Sequence, residues 1–113
     1  MVKSAKHKGI KVENKVVKLF TDLDIQARRQ PYSGAKQDFP HDVQVNILGG
    51  LNIEVKARSN GEGFKTMERW QGGADLLVLV ADNEQPRVQM RWDMFRQMLE
   101  ILRESNDRVY KIT

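Results

Sequence analysis

Residues 42–56 constrain this chain more than any other stretch. Asp42-Val43-Gln44-Val45-Asn46-Ile47-Leu48 and Leu51-Asn52-Ile53-Glu54-Val55-Lys56 alternate apolar and polar side chains, and Gly49-Gly50 separates them. A period of two is that of a strand, whose successive side chains point to opposite faces, so the segment reads as a β-hairpin. Placing Val43, Val45 and Ile47 on one face with Leu51, Ile53 and Val55 requires odd positions to pair with odd ones. An odd loop does this, and Leu48-Gly49-Gly50 with a glycine in the left-handed region supplies one, pairing Ile47 with Leu51. The apolar face then forces Asp42, Gln44, Asn46, Asn52, Glu54 and Lys56 onto the opposite one. Asp42 is expected across from Lys56 and diagonal to Glu54, so hydrophobic patterning alone gathers two carboxylates and an ammonium.

The remaining elements follow from the same kind of reading. Between Lys6 and Asp24, Ile10, Val16, Val17, Phe20 and Leu23 recur at helical spacing, with Glu13 at the edge of the apolar stripe, where a carboxylate needs a partner. Ile25–Arg29 reads as a short strand, and Gln30–Pro40, broken by Pro31, Gly34 and Pro40, as a loop long enough to be functional. Arg58–Gly63 is a polar, glycine-rich loop, and Phe64–Gln71 is a short helix stopped by Gly72-Gly73. The unbroken Leu76-Leu77-Val78-Leu79-Val80 within Asp75–Ala81 predicts a strand buried on both faces at the centre of a sheet. Asp82–Pro86 is a turn, Arg87–Met90 a strand, and Trp92–Arg103 an amphipathic helix carrying Trp92, Phe95, Met98, Leu99 and Leu102. With 113 residues the expectation is one α/β domain spanning 1–113.

Charge and composition narrow the chemistry. Nineteen Lys and Arg against fifteen Asp and Glu give a net charge of +4, concentrated early in Lys3, Lys6, Lys8, Lys11, Lys15 and Lys18, then Arg28 and Arg29. Such clustering suits a polyanion, although a lysine-rich helix face can equally be a solvated one. Without cysteine, a metal would be held by oxygen or by His7 or His41, which favours a hard cation. No apolar run is long enough to span a bilayer and no signal peptide is visible, so the protein is expected inside a cell, in cytoplasm or nucleoid, without membrane contact.

Phosphodiester hydrolysis needs an activated water, neutralised phosphate charge and assistance to the leaving oxygen, all of which a divalent metal between carboxylates supplies. Asp42 and Glu54 are the candidate ligands, with the Val55 carbonyl as a third. Lys56 is placed to orient the attacking water or stabilise the phosphorus centre, and Glu13 adds a carboxylate or orders a metal-bound water. Lys6, Lys8, Lys11, Arg29, Lys36 and Arg58 are candidate phosphate contacts. Cross-strand pairing of acids with lysine on an exposed hairpin is the structural alternative. Trp70 and Trp92 suit packing or base stacking.

The order of these features resembles a known family. Lys8-Gly9-x-x-x-Glu13 on a helix, Ser33-Gly34 in a loop, Asp42 opening one strand and Ile53-Glu54-Val55-Lys56 on the next resemble the archaeal-type Holliday-junction resolvases of the PD-(D/E)XK nuclease superfamily. Trp70, Gly73-Ala74-Asp75 and the apolar strand, followed by a strand and a terminal helix, look like the resolvase-like proteins of bacteriophages. The resemblance implies a small three-layer restriction-endonuclease-like fold with a central mixed sheet of about five strands flanked by helices. It also implies Mg2+ or Mn2+ as cofactor, a homodimer, four-way DNA junctions as substrate, and, through the bacteriophage proteins, a phage-encoded product in a bacterial host. Glu13, Asp42, Glu54 and Lys56 take the family's active-site positions, and Ser33 that of a loop serine near the phosphate. Pro40-His41-Asp42 departs from the family's Pro-Asp dipeptide and leaves Asp38 a rival for the first acid, while Glu68 or Gln71 stands at a later polar position. Another nicking or repair nuclease of this superfamily, or a non-catalytic DNA-binding module, is the alternative.

Overall fold

The computed structural model describes the backbone of residues 5–30 and 42–112 and the side chains of residues 9–30 and 42–105. Of the expected Gln30–Pro40 loop only Gln30 is described; Ser33, Lys36 and Asp38, and His41 after the loop, lie outside the described residues. The protein is mixed α/β, with three helices and two antiparallel sheets of three and two strands among the described residues. The chain divides into two compact units, residues 1–60 and 61–113.

The first unit begins with α1, Ala5–Thr21, whose apolar stripe packs on β1, Ala27–Arg29, and on β2, Val43–Val45. The helix ends three residues before the expected Asp24, because Asp24 adopts a left-handed conformation with φ 60. The Ile25 N–H reaches back to the Phe20 carbonyl at 3.2 Å and the Asp24 N–H to Thr21 at 3.0 Å, the paired bonds that close a helix C-terminus. Asp occupies the position glycine commonly fills, and its short polar side chain tolerates that backbone better than most. Phe20 and Ile25, on either side of the reversal, are both buried.

β2 pairs antiparallel with β1 and with β3, Leu51–Ile53, giving the order β1-β2-β3. Val43, Val45 and Ile47 are buried while Asn46, Asn52, Glu54 and Lys56 are exposed, so the alternation divides the faces as expected. The register differs from the expected one by two residues. Val45 pairs with Leu51 and Val43 with Ile53, so the turn takes Asn46–Gly50 rather than Leu48–Gly50 alone. Leu48, Gly49 and Gly50 all have positive φ, and the Gly50 N–H closes the turn on the Ile47 carbonyl at 2.9 Å. A slip of two preserves which side chains share a face, whereas a slip of one would have exchanged them.

The second unit contains α2, Lys65–Gln71, the β4–β5 hairpin of Leu77–Leu79 and Arg87–Gln89, and α3, Trp92–Ile112. Here the expectation of a central strand buried on both faces is corrected. β4 pairs with β5 in a separate two-stranded sheet, and Val78 and Val80 are 54% and 74% exposed. A strand is covered on both faces only where another layer lies on each, and an apolar run cannot supply those layers itself. The hairpin is instead tied to α2 by a polar network around buried Gln71. Its Nε2 donates to the Ala74 and Asp75 carbonyls at 3.1 and 3.3 Å, and its Oε1 accepts from Gln89 Nε2 at 3.1 Å. α3 runs nine residues past the expected Arg103, since no Gly or Pro follows to stop it once its apolar periodicity ends. Trp92 and Phe95 pack edge to face at 5.6 Å, while Trp70 is largely exposed.

Candidate active site

Beyond β2 and β3 the ladder gives way to a side-chain contact. The ladder ends at the Val43–Ile53 pair, a register two residues away from the one that would set Asp42 opposite Lys56 as the three-residue turn would have it. The half-buried Asp42 carboxylate receives the Val55 N–H on Oδ2 at 2.8 Å, while its own N–H donates to the Ile53 carbonyl at 3.2 Å. Its carbonyl accepts from the Gln30 N–H at 2.9 Å, so Asp42 is held from both neighbouring strands. A carboxylate bonded to a backbone N–H has a fixed orientation, and the contact draws Val55 toward it by its N–H end.

Glu54 and Lys56 project together from the strand that continues β3. Their Oε1 and Nζ lie 3.4 Å apart with both side chains exposed, so as an ion pair they contribute little to stability. Lys56 is nevertheless kept within reach of Glu54 and of whatever Glu54 binds.

Glu13 approaches from α1 and is the anomaly of the site. The residue is 9% exposed, and its Oε1 accepts no hydrogen bond among the described residues. The nearest cation is Arg29 on β1, whose Nη1 stands 3.9 Å away, too far for a hydrogen bond. Burial raises the Glu13 pKa above the usual carboxylate value, and the Asp42 charge raises it further. Arg29 opposes these effects, and Glu54 adds a smaller push upward. Glu13 therefore feels the charge of two acids distant from it in sequence, a repulsion that a cation would relieve. Among the described residues, however, no three His, Asp or Glu side chains converge into a ready-made cation cage. The oxygen donors of Asp42 and Glu54 are of the kind that suits a hard divalent ion.

The phosphate-contact candidates divide. Lys11, Lys56 and Arg58 line one cleft of unit 1 together with Gly9, Glu13 and Ser59, so cations from α1 and from the segment after β3 meet beside Glu13. Arg29 faces Glu13 instead, a role that charge clustering in the sequence does not reveal. Lys6 and Lys8 belong to α1 by backbone, but their side chains are not described. Glu68 is exposed on α2, and Gln71 is a buried structural residue rather than part of an ordinary helix surface. Arg28, named above only as part of the basic cluster, donates from Nε and Nη2 to Gln44 Oε1 at 3.3 and 3.0 Å. Extending the period-two reading from the hairpin into Gln26–Arg29 would have placed it on the acid-bearing face. No helix of the described residues is long and apolar enough to cross a membrane. Comparison with known proteins finds no matching family model, no matching curated protein and no matching solved structure.

Proposed function

We propose that this protein is a metal-dependent DNA endonuclease acting on branched DNA, in the manner of a Holliday-junction resolvase. The observation that carries the reading is the Asp42 carboxylate fixed by the N–H of Val55, the residue between Glu54 and Lys56, with Lys56 Nζ 3.4 Å from Glu54 Oε1. Acids on a surface that meets phosphate are repulsive unless a cation reverses the local sign. Asp42 and Glu54 would hold Mg2+ or Mn2+, which supplies an acidified water and neutralises phosphate charge when bound. Lys56 donates to the phosphate or to the attacking water, and Lys11 and Arg58 hold the neighbouring backbone. Glu13, with its uncommitted oxygen, accepts a proton or a water hydrogen at the edge of the site.

The finer architecture belongs to the same proposal: a three-layer restriction-endonuclease-like fold, active as a homodimer with one site per subunit. The exposed Leu76, Val78, Val80, Val88 and Ile101 supply apolar surface that a second copy would cover. A second reading, a non-catalytic DNA-binding module, is favoured by the Glu54–Lys56 ion pair and by the lack of a three-acid cluster among the described residues.

The test is incubation with a synthetic four-way junction and, separately, a linear duplex, each with magnesium or manganese. Cleavage of the junction is expected, reduced about 10²- to 10³-fold by Asp42→Asn or Glu54→Gln. An intact junction, together with no calorimetric uptake of either metal, would leave only the binding module.

A further inference from the structure

The solvent-facing side of the β1-β2-β3 sheet is arranged in rows that cross the strands. Strand register puts Gln30, Asp42 and Glu54 in one row, then Arg28, Gln44 and Asn52, then Gln26, Asn46 and Gly50. The first holds the acids discussed above. The other two hold four amides, one guanidinium and a glycine, with no acid among them. A cleft opens over these two rows, lined by Gln26, Arg28, Gln44, Asn46, Gly49 and Gly50.

The amides are already oriented by one another. Gln44 Oε1 receives both Arg28 donors and Gln30 Nε2, and Asn46 Nδ2 donates to Gln26 Oε1 at 3.2 Å. Among the described residues no hydrogen bond uses Gln44 Nε2, Gln26 Nε2 or Asn46 Oδ1. Linking Asn46 to Gln26 therefore leaves a donor and an acceptor side by side at the cleft. A phosphate is acceptor-only and has no use for the Asn46 oxygen, whereas the edge of a nucleobase presents both kinds of group. A Cβ built on Gly49 or Gly50 would meet nothing within 4 Å, so the peptide planes there are open to a flat ligand. Beside them Leu48 is 66% exposed and held at φ 53, a conformation unfavourable for leucine.

We propose that this cleft binds an unpaired nucleobase of a DNA strand. The base edge bonds to Gln26, Asn46 and Gln44, its face lies over Gly49-Gly50 and against Leu48, and Arg28 holds the adjoining phosphate. Asp42 and Asn46 are four strand residues apart, about 13 Å. The proposal rests on the nucleic-acid reading of the acid row but does not require cleavage.

The test is fluorescence anisotropy on the full chain without added metal, using a short single-stranded oligodeoxynucleotide and a strand of the same length made of abasic sugar-phosphate. The base-bearing strand is expected to bind about tenfold more tightly. Gln26→Ala and Asn46→Ala, both at exposed positions, should reduce that preference to about twofold or less, leaving the salt dependence set by phosphate contacts unchanged. Circular dichroism checks that the variants keep their fold. Equal affinity for the two strands, or a preference that survives both substitutions, overturns the proposal. A preference that those substitutions abolish supports the cleft even if magnesium-loaded protein cuts nothing, in which case only the nuclease reading falls. Cleavage without any preference overturns the cleft alone.

Discussion

Of the two hairpins, β4–β5 contains the longer unbroken apolar run, Leu76–Ala81, yet β2–β3 holds the core. Val43 and Val45 are fully buried beneath α1, while Val78, Val80 and Val88 on β4–β5 are more than half exposed. The alternating hairpin asks for one covering layer, and the neighbouring helix supplies it. The unbroken apolar run asks for a layer on each face, and among the described residues its hairpin has no such pair. Hydrophobic content therefore predicts burial less well than the match between a pattern and the layers available to it.

The largest consequence is a difference in what a lost side chain costs. Val45→Ala should destabilise by about 2 to 3 kcal/mol, through lost transfer energy and a residual cavity. Val78→Ala should stay within about 0.5 kcal/mol, as a substitution at an exposed site does. Urea midpoints measure both. Equal costs would mean that β4 is covered as fully as β2, and the contrast would disappear.

The next prediction sharpens the contrast by asking what holds the second hairpin instead. Gln71→Ala leaves the Ala74 and Asp75 carbonyls and the Gln89 amide without their buried partner, at about 1 to 3 kcal/mol. The same substitution at exposed Asn52, on the first hairpin, should change the midpoint little. If Gln71→Ala were equally silent, polar ties would not be what anchors β4–β5 to α2.

A third effect appears as a slope against pH. Because burial and the Asp42 charge raise the Glu13 pKa in the folded state, the folded protein holds more protons than the unfolded chain between the usual carboxylate value and that raised one. Stability from this group is complete below that window and is lost as pH rises through it. Glu13→Gln should remove the slope, so metal-free protein gains more at pH 7 than at pH 4. A gain independent of pH, measured by urea titration at both values, would place the charged form of Glu13 at no disadvantage.

The smallest effect concerns the turn of the first hairpin. Leu48→Gly relieves a left-handed leucine and should raise stability by about 0.5 kcal/mol after the added chain entropy of glycine is subtracted. A loss instead would mean that the exposed leucine contributes packing in the free protein.

Much of this molecule is visible in its residues, for reasons that are local. Alternation over 42–47 and 51–56 assigns each side chain to a face, because consecutive strand positions point opposite ways whatever packs around them. That was enough to put Asp42, Glu54 and Lys56 on one side of the sheet. The spacing from Ile10 to Phe20 marks the buried stripe of α1, and Gly72 marks the end of α2. Less legible were the turn length and the ending of α1. Three residues or five in the turn satisfy the same parity, and an aspartate standing in for glycine at the end of α1 leaves little trace.

What the sequence by itself determined is parity and periodicity: which side chains share a face, and so which acids keep company. Tertiary structure alone decided the register in which the strands pair, that Arg29 serves Glu13, that Gln71 is buried, and that the most apolar strand is not. Pairing register, partner distance and burial depend on elements far apart in the chain, whose meeting is fixed by packing and backbone bonds that no local pattern encodes.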